Sequence, residues 1–130
     1  MKISWSMYEN FFESEFSCPC CGAADMDPYF LQTLQTIRTQ LGESMNITSG
    51  FRCAASEKKK GRSGKGGHTL GQAADVGVSG AAAHLLLLLA LGNEVPRIGI
   101  SQKGPHGKRF IHLDTSEASD GLASPWVWSY

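Results

Sequence analysis

The chain has no net charge: twelve basic residues balance twelve acidic ones over 130 positions. Nothing global therefore draws it toward nucleic acid or an anionic membrane. It also lacks a membrane-length apolar run. The stretch Ala81–Leu91 contains His84 and is far shorter than the ~20 residues a span requires, so it is expected to form a buried helix. Met1–Ser17 carries acidic residues and no apolar core of the kind a secretory signal has. Synthesis in the cytoplasm is expected, with another export route for any work outside it. Cysteine is scarce, at Cys18, Cys20, Cys21 and Cys53 alone, and without an export signal a disulfide framework is the weaker reading. The CPCCG run resembles half of a zinc knuckle, which Cys53 could complete. A strong four-cysteine site shows two spaced pairs, however, and the second pair is missing, so free, partly buried thiols are the plainer expectation. Repeats and linkers are absent as well. With 42% apolar and 18% charged residues, positions 1–130 read as one globular domain.

What is present is a clear order of elements. Phe11, Phe12 and Phe16 give the N-terminal segment apolar anchors against the body. Asp27-Pro28 reads as a helix cap followed by proline at the first helical position. Phe30, Leu34, Ile37 and Leu41 then form one apolar stripe, and Gly42 is a natural stop. Met45–Cys53 predicts a strand with a bend at Ser49-Gly50, and the polar, Lys-rich, Gly-punctuated Ala54–Gly67 predicts a mobile loop. Ala73–Val78 is a short strand of small residues, and Ser79 caps a second helix running to about Leu91. Arg97–Ser101 and Arg109–Thr115 predict an antiparallel pair, and the closing WVWSY packs on the sheet. The fold class is α+β, a small, mainly antiparallel sheet flanked by helices.

Two stretches carry chemistry. HTLGQAAD places His68 seven residues ahead of Asp75, and RFIHLD places His112 and Asp114 two apart in a strand. Side chains alternate along a strand, so His112 and Asp114 share one face while Ile111 and Leu113 turn to the core. Asp75 sits among small residues that leave room for a metal. A catalytic zinc usually takes three His, Asp or Glu ligands and leaves a position open for water, whose pKa it lowers toward ~7. An acid nearby moves the proton and a cation stabilises the oxyanion. His68, Asp75 and His112 are candidate ligands, Asp114 the candidate acid/base and Arg52 the candidate electrophile. Taken singly, each histidine is more often a surface or satisfied core residue than a ligand; His84 reads as core or helix surface and His106 as solvated. The cluster Lys58, Lys59, Lys60, Arg62 and Lys65 reads as a solvated loop, and Trp126 and Trp128 as packing residues.

The succession SGFRC, HTLGQAAD and FIHLD resembles the LAS-type zinc peptidases, which comprise D-Ala-D-Ala carboxypeptidases and dipeptidases and the L-alanyl-D-glutamate endopeptidases of phage endolysins. The likeness covers most of the chain, and the order and spacing of its motifs are fairly specific. It implies a hedgehog/DD-peptidase-like fold, a zinc cofactor, and hydrolysis of amide bonds in peptidoglycan stem peptides. On the matching positions, His68, Asp75 and His112 correspond to the zinc ligands. Arg52 corresponds to the arginine that binds substrate and polarises the scissile carbonyl, and Ser49 to the motif serine that positions substrate. The partner implied is the stem peptide, met by a monomer with no nucleic acid or membrane involved. The work is done in the cell wall after release, through a holin if the protein is phage-encoded.

Two positions depart from the family's pattern. Gly66 stands where the family has serine two places before the first ligand. Arg109 stands where many members carry the general base, three places before the last histidine, which leaves Asp114 to fill that role or to orient the ligand from behind. The departures admit an alternative, a non-catalytic zinc-containing module that binds the wall, on the same scaffold that the related hedgehog domains use for other purposes. A third class, an interaction protein built on the cysteine knuckle, rests on CPCCG alone.

Overall fold

The computed structural model describes residues Ile3 to Tyr130. Helix α1 spans Pro28–Leu41, as the sequence predicts. The Asp27 carboxylate accepts from the Phe30 N–H at 3.0 Å, proline occupies the first turn, and Gly42 closes the helix in the left-handed region at φ 70°. Its stripe of Phe30, Leu34 and Ile37, joined by Leu31, is buried.

Strands β1 (Asn46–Ser49), β2 (Ala73–Gly77), β3 (Arg97–Ser101), β4 (Phe110–Asp114) and β5 (Trp126–Ser129) form one sheet in the order β1-β2-β4-β3-β5. All neighbours are antiparallel except β3 and β5, which are parallel. The expected pairing of Arg97–Ser101 with the strand through His112 is present, and the C-terminal aromatic segment adds the edge strand.

Register decides what each face does. Ala74, Leu113 and Ile98 form one cross-strand row, and Val76, Ile111 and Ile100 another. Those rows meet α1 and α3 (Gly80–Gly92) in a common core. Ser49, Asp75, His112, Gly99 and Trp128 form the alternate row and share the opposite face. Burying an Ile, Leu or Phe side chain stabilises by about 1.5–3 kcal/mol. The apolar rows therefore fix the register, and a slip of one residue would turn His112 into the core.

Four expectations need correction. Ala54–Gly67 is not loop throughout: Ala54–Lys59 form helix α2, capped by the Cys53 thiol accepting from the Ser56 N–H at 3.4 Å. Helix α3 is not buried as a whole. Ala83, Leu86 and Ala90 face inward, while Leu85, Leu88 and Leu91 are exposed, because only one stripe of an all-round apolar helix can meet the layer beneath it. Ser79 precedes α3 but its hydroxyl makes no cap bond. In the N-terminal segment Phe11 and Phe16 are buried as anchors, whereas Phe12 is exposed. Among the described residues no helix is long and apolar enough to cross a membrane.

Candidate metal centre

His68, Asp75 and His112 arrive from three different segments. His68 sits within the turn Gly67–Gly71, Asp75 is the midpoint of β2, and His112 is the midpoint of β4. One ligand atom from each lies within 4.8 Å of the other two, and all three side chains are buried. Asp75 Oδ1 is 3.4 Å from His68 Nε2 and 3.0 Å from His112 Nδ1. The two imidazoles meet edge to face with centroids 4.9 Å apart.

The outer nitrogen of each ring is fixed. His68 Nδ1–H donates to the Gly50 carbonyl at 2.7 Å, which leaves the lone pair of Nε2 aimed at Asp75. That Nε2 is buried with no hydrogen-bond partner. His112 Nε2–H donates to Asp114 Oδ2 at 2.9 Å, on the ring's far side from Asp75. This is how metal-binding histidines are commonly oriented, with the non-ligating N–H tied to a carbonyl or carboxylate. Two imidazoles and a carboxylate suit zinc, and an orphaned buried nitrogen pointing into the cluster fits an ion there.

Asp114 is enclosed. Its Oδ1 accepts from the Ser116 N–H at 2.8 Å, its Oδ2 lies 3.3 Å from Arg97 Nε, and the residue has no exposed surface. Gly67 adjoins it so closely that a Cβ there would collide with the carboxylate. Burial opposes the charged forms of Asp75, His112 and Asp114, but their hydrogen bonds to one another, with those to His68 and Ser116, prevail. They hold Asp75 and Asp114 below the usual carboxylate range and push His112 up.

Arg52 stands beside the cluster. Its backbone N–H donates to the His68 carbonyl at 3.2 Å, and its Nε is 2.9 Å from Glu57 Oε1 in α2. Glu57, itself buried, also pairs with Arg62 at 3.4 Å. Ser49 is the register partner of Asp75 and is half-buried. The structure thus gathers every residue that the motifs single out. Arg109, by contrast, sends its Nε to the Gly104 carbonyl at 3.1 Å. His84, His106, Lys58, Lys59, Lys60, Arg62 and Lys65 are exposed.

Sequence reasoning missed four contributors. Arg97 neutralises Asp114 from the next strand and carries Trp128 over its guanidinium, 5.0 Å from the ring centre. Trp128 also lies 5.0 Å from the His112 ring and fills the space above Gly99, so it walls the cluster as well as packing. Glu57 holds Arg52. Tyr130 packs its ring on Phe110; burial, together with the Asp75 charge, pushes its phenol up. The paired strands were the only signal that could have placed Arg97 opposite Asp114, through register.

A buried His-Asp-His cluster with one orphaned lone pair, on one face of an α+β sheet, is a candidate metal site. The Peptidase M15 family model matches residues 9–114, and the chain belongs to this family of LAS-type zinc peptidases. No curated protein matches it.

Proposed function

We propose that the chain is a zinc-dependent peptidase that hydrolyses amide bonds in peptidoglycan stem peptides, of the D-Ala-D-Ala carboxypeptidase or L-Ala-D-Glu endopeptidase type. The observation that carries this reading is the His68, Asp75 and His112 donor set closing to within 4.8 Å in a chain of the M15 family. When bound, zinc supplies a Lewis acid and a nucleophilic water at neutral pH.

The chain's own residues do the rest. His68 Nε2, Asp75 and His112 Nδ1 would hold the ion, and the Gly50 carbonyl and Asp114 keep the two rings in the required tautomers. Arg52 is kept in place by Glu57, and its remaining guanidinium N–H groups serve the scissile carbonyl oxygen of a bound substrate. A cation at that point stabilises the charge that develops there. Ser49, beside Asp75, positions the substrate backbone. Trp128 excludes water from one side of His112. Asp114 acts through His112: its Oδ2 faces Nε2, while the Ser116 N–H and the Arg97 guanidinium hold the carboxylate in place. The site of action is the cell wall, reached after release from the cytoplasm, as in phage lysis.

Mass spectrometry of peptidoglycan digested by the zinc-loaded protein tests the reading. Stem peptides shortened by a terminal D-Ala, or cut between L-Ala and D-Glu, are expected. Tight zinc binding with no altered wall fragment would overturn it in favour of a binding module.

A further inference from the structure

The four cysteines form a second cluster, away from the His-Asp-His row. Cys18, Pro19, Cys20, Cys21 and Gly22 make a tight turn in which the Gly22 N–H donates to the Cys18 carbonyl at 2.8 Å, with Gly22 in the left-handed region at φ 78°. The turn aims Cys18 and Cys21 the same way, and Cys53 comes to meet them across 35 residues of chain. The three Sγ atoms lie within 4.8 Å of one another, yet all the cysteines are free thiols. Backbone N–H groups surround the sulfurs. Cys53 N–H points at Cys18 Sγ at 3.4 Å, those of Cys20 and Cys21 bear on the same atom, and Ser56 N–H points at Cys53 Sγ at 3.4 Å. Cys20 adjoins Cys53 on the solvent side.

We propose that Cys18, Cys21 and Cys53 bind a structural zinc ion as thiolates, independently of the catalytic centre. Three convergent sulfurs with N–H groups directed at them match what a thiolate–zinc site needs: soft ligands at tetrahedral reach and donors that stabilise their negative charge. Cys20, exposed and adjoining Cys53, would be available as a fourth ligand. Binding releases the protons of the three thiols, so the ion holds best when they are deprotonated. The site ties the N-terminal arm to the turn that carries Arg52. Phe51 N–H already donates to the Phe16 carbonyl at 2.9 Å, and a Cβ on Gly50 would strike Phe16, so arm and turn are in contact before any ion adds to them. Cys53 follows Arg52 directly and also caps α2, the helix that supplies Glu57. The ion would therefore anchor the substrate-binding arginine from behind.

Metal counting on the full chain separates the two sites. Wild-type protein purified under reducing conditions is expected to carry two zinc ions, and His112→Ala one. Cobalt-substituted His112→Ala should then show thiolate-to-cobalt charge-transfer absorption, which Cys21→Ser, a change at an exposed position, removes. Chelating the remaining ion from His112→Ala should lower its melting temperature. A His112→Ala protein that is folded by circular dichroism but binds no metal would overturn the proposal, as would cobalt-loaded protein without the thiolate band, or a disulfide among these cysteines in place of the ion. None of these outcomes depends on whether the protein cuts peptidoglycan.

Discussion

Asp114 Oδ2 lies 2.9 Å from His112 Nε2, on the side of the ring turned away from Asp75. Strand alternation alone puts both residues on one face and suggests a proton shuttle. The contact geometry supports an orienting carboxylate. The two roles separate in Asp114→Asn. An orienting role predicts a loss of about 10–100-fold in zinc affinity, with turnover largely recovered at saturating zinc. A shuttle role predicts unchanged affinity and a turnover that zinc does not restore. Zinc titration followed by rate measurement on one variant distinguishes them.

Arg52→Ala should keep its zinc while turnover falls by about 10²–10³-fold, the usual effect of removing a group that stabilises an oxyanion. Arg52→Lys should recover part of that, limited because the 2.9 Å pairing of Nε with Glu57 is lost. Steady-state kinetics beside metal analysis reads both. A variant that loses zinc together with activity would show that Arg52 serves the fold of the site instead.

The metal-free protein should be most stable in a mildly acidic window. Burial opposes charge on Asp75 and Asp114, but their bonds to His112, with those to His68 and Ser116, depress both carboxyls. The stability they contribute is present above the unfolded value of ~3.9 and is lost as pH falls through the folded ones. Burial likewise opposes charge on His112, but Asp114 and Asp75 raise it. Its contribution is full below ~6.5 and fades as pH rises through the folded value. Melting temperatures of chelated protein should therefore peak between about pH 4 and pH 6.5. His112→Ala should flatten the alkaline side of that curve. Zinc, which requires the unprotonated imidazole, should raise the melting temperature more above this window than within it.

Gly67→Ala should be far more harmful than Gly66→Ala. A Cβ at Gly67 meets the Asp114 carboxylate, whereas one at Gly66 meets nothing within 4 Å. Overpacking of this kind typically costs about 1–3 kcal/mol, and here it also pushes Asp114 off His112. Denaturant melts and zinc affinity should both fall for Gly67→Ala and hold for Gly66→Ala. Equal behaviour of the two would mean that Asp114 can move freely.

Much of this arrangement was legible in the sequence because it follows from short-range rules. Asp27-Pro28 and Gly42 bound α1 through local hydrogen bonding, and period-two alternation sends Ile111 and Leu113 to the helix-packed face and His112 to the opposite one. The unforeseen parts depend on distant partners. Helix α2 exists where the sequence suggests loop because the Cys53 thiol caps it and buried Glu57 pairs with Arg52 and Arg62. Arg97 reaches Asp114 only through the β3–β4 register. The run from Leu85 to Leu89 is apolar on every side, so no local feature marks Leu88 as an exposed position. The family resemblance drawn from SGFRC, HTLGQAAD and FIHLD agrees with the match over residues 9–114.

The central claim is that zinc held by His68, Asp75 and His112 hydrolyses stem peptides. The most direct measurement is the release of peptides from purified peptidoglycan by wild-type and His112→Ala protein, each assayed with zinc and with chelator. Cleavage by wild-type protein that chelator abolishes and zinc restores, and that His112→Ala loses under all conditions, is predicted. Full activity of His112→Ala would contradict the account.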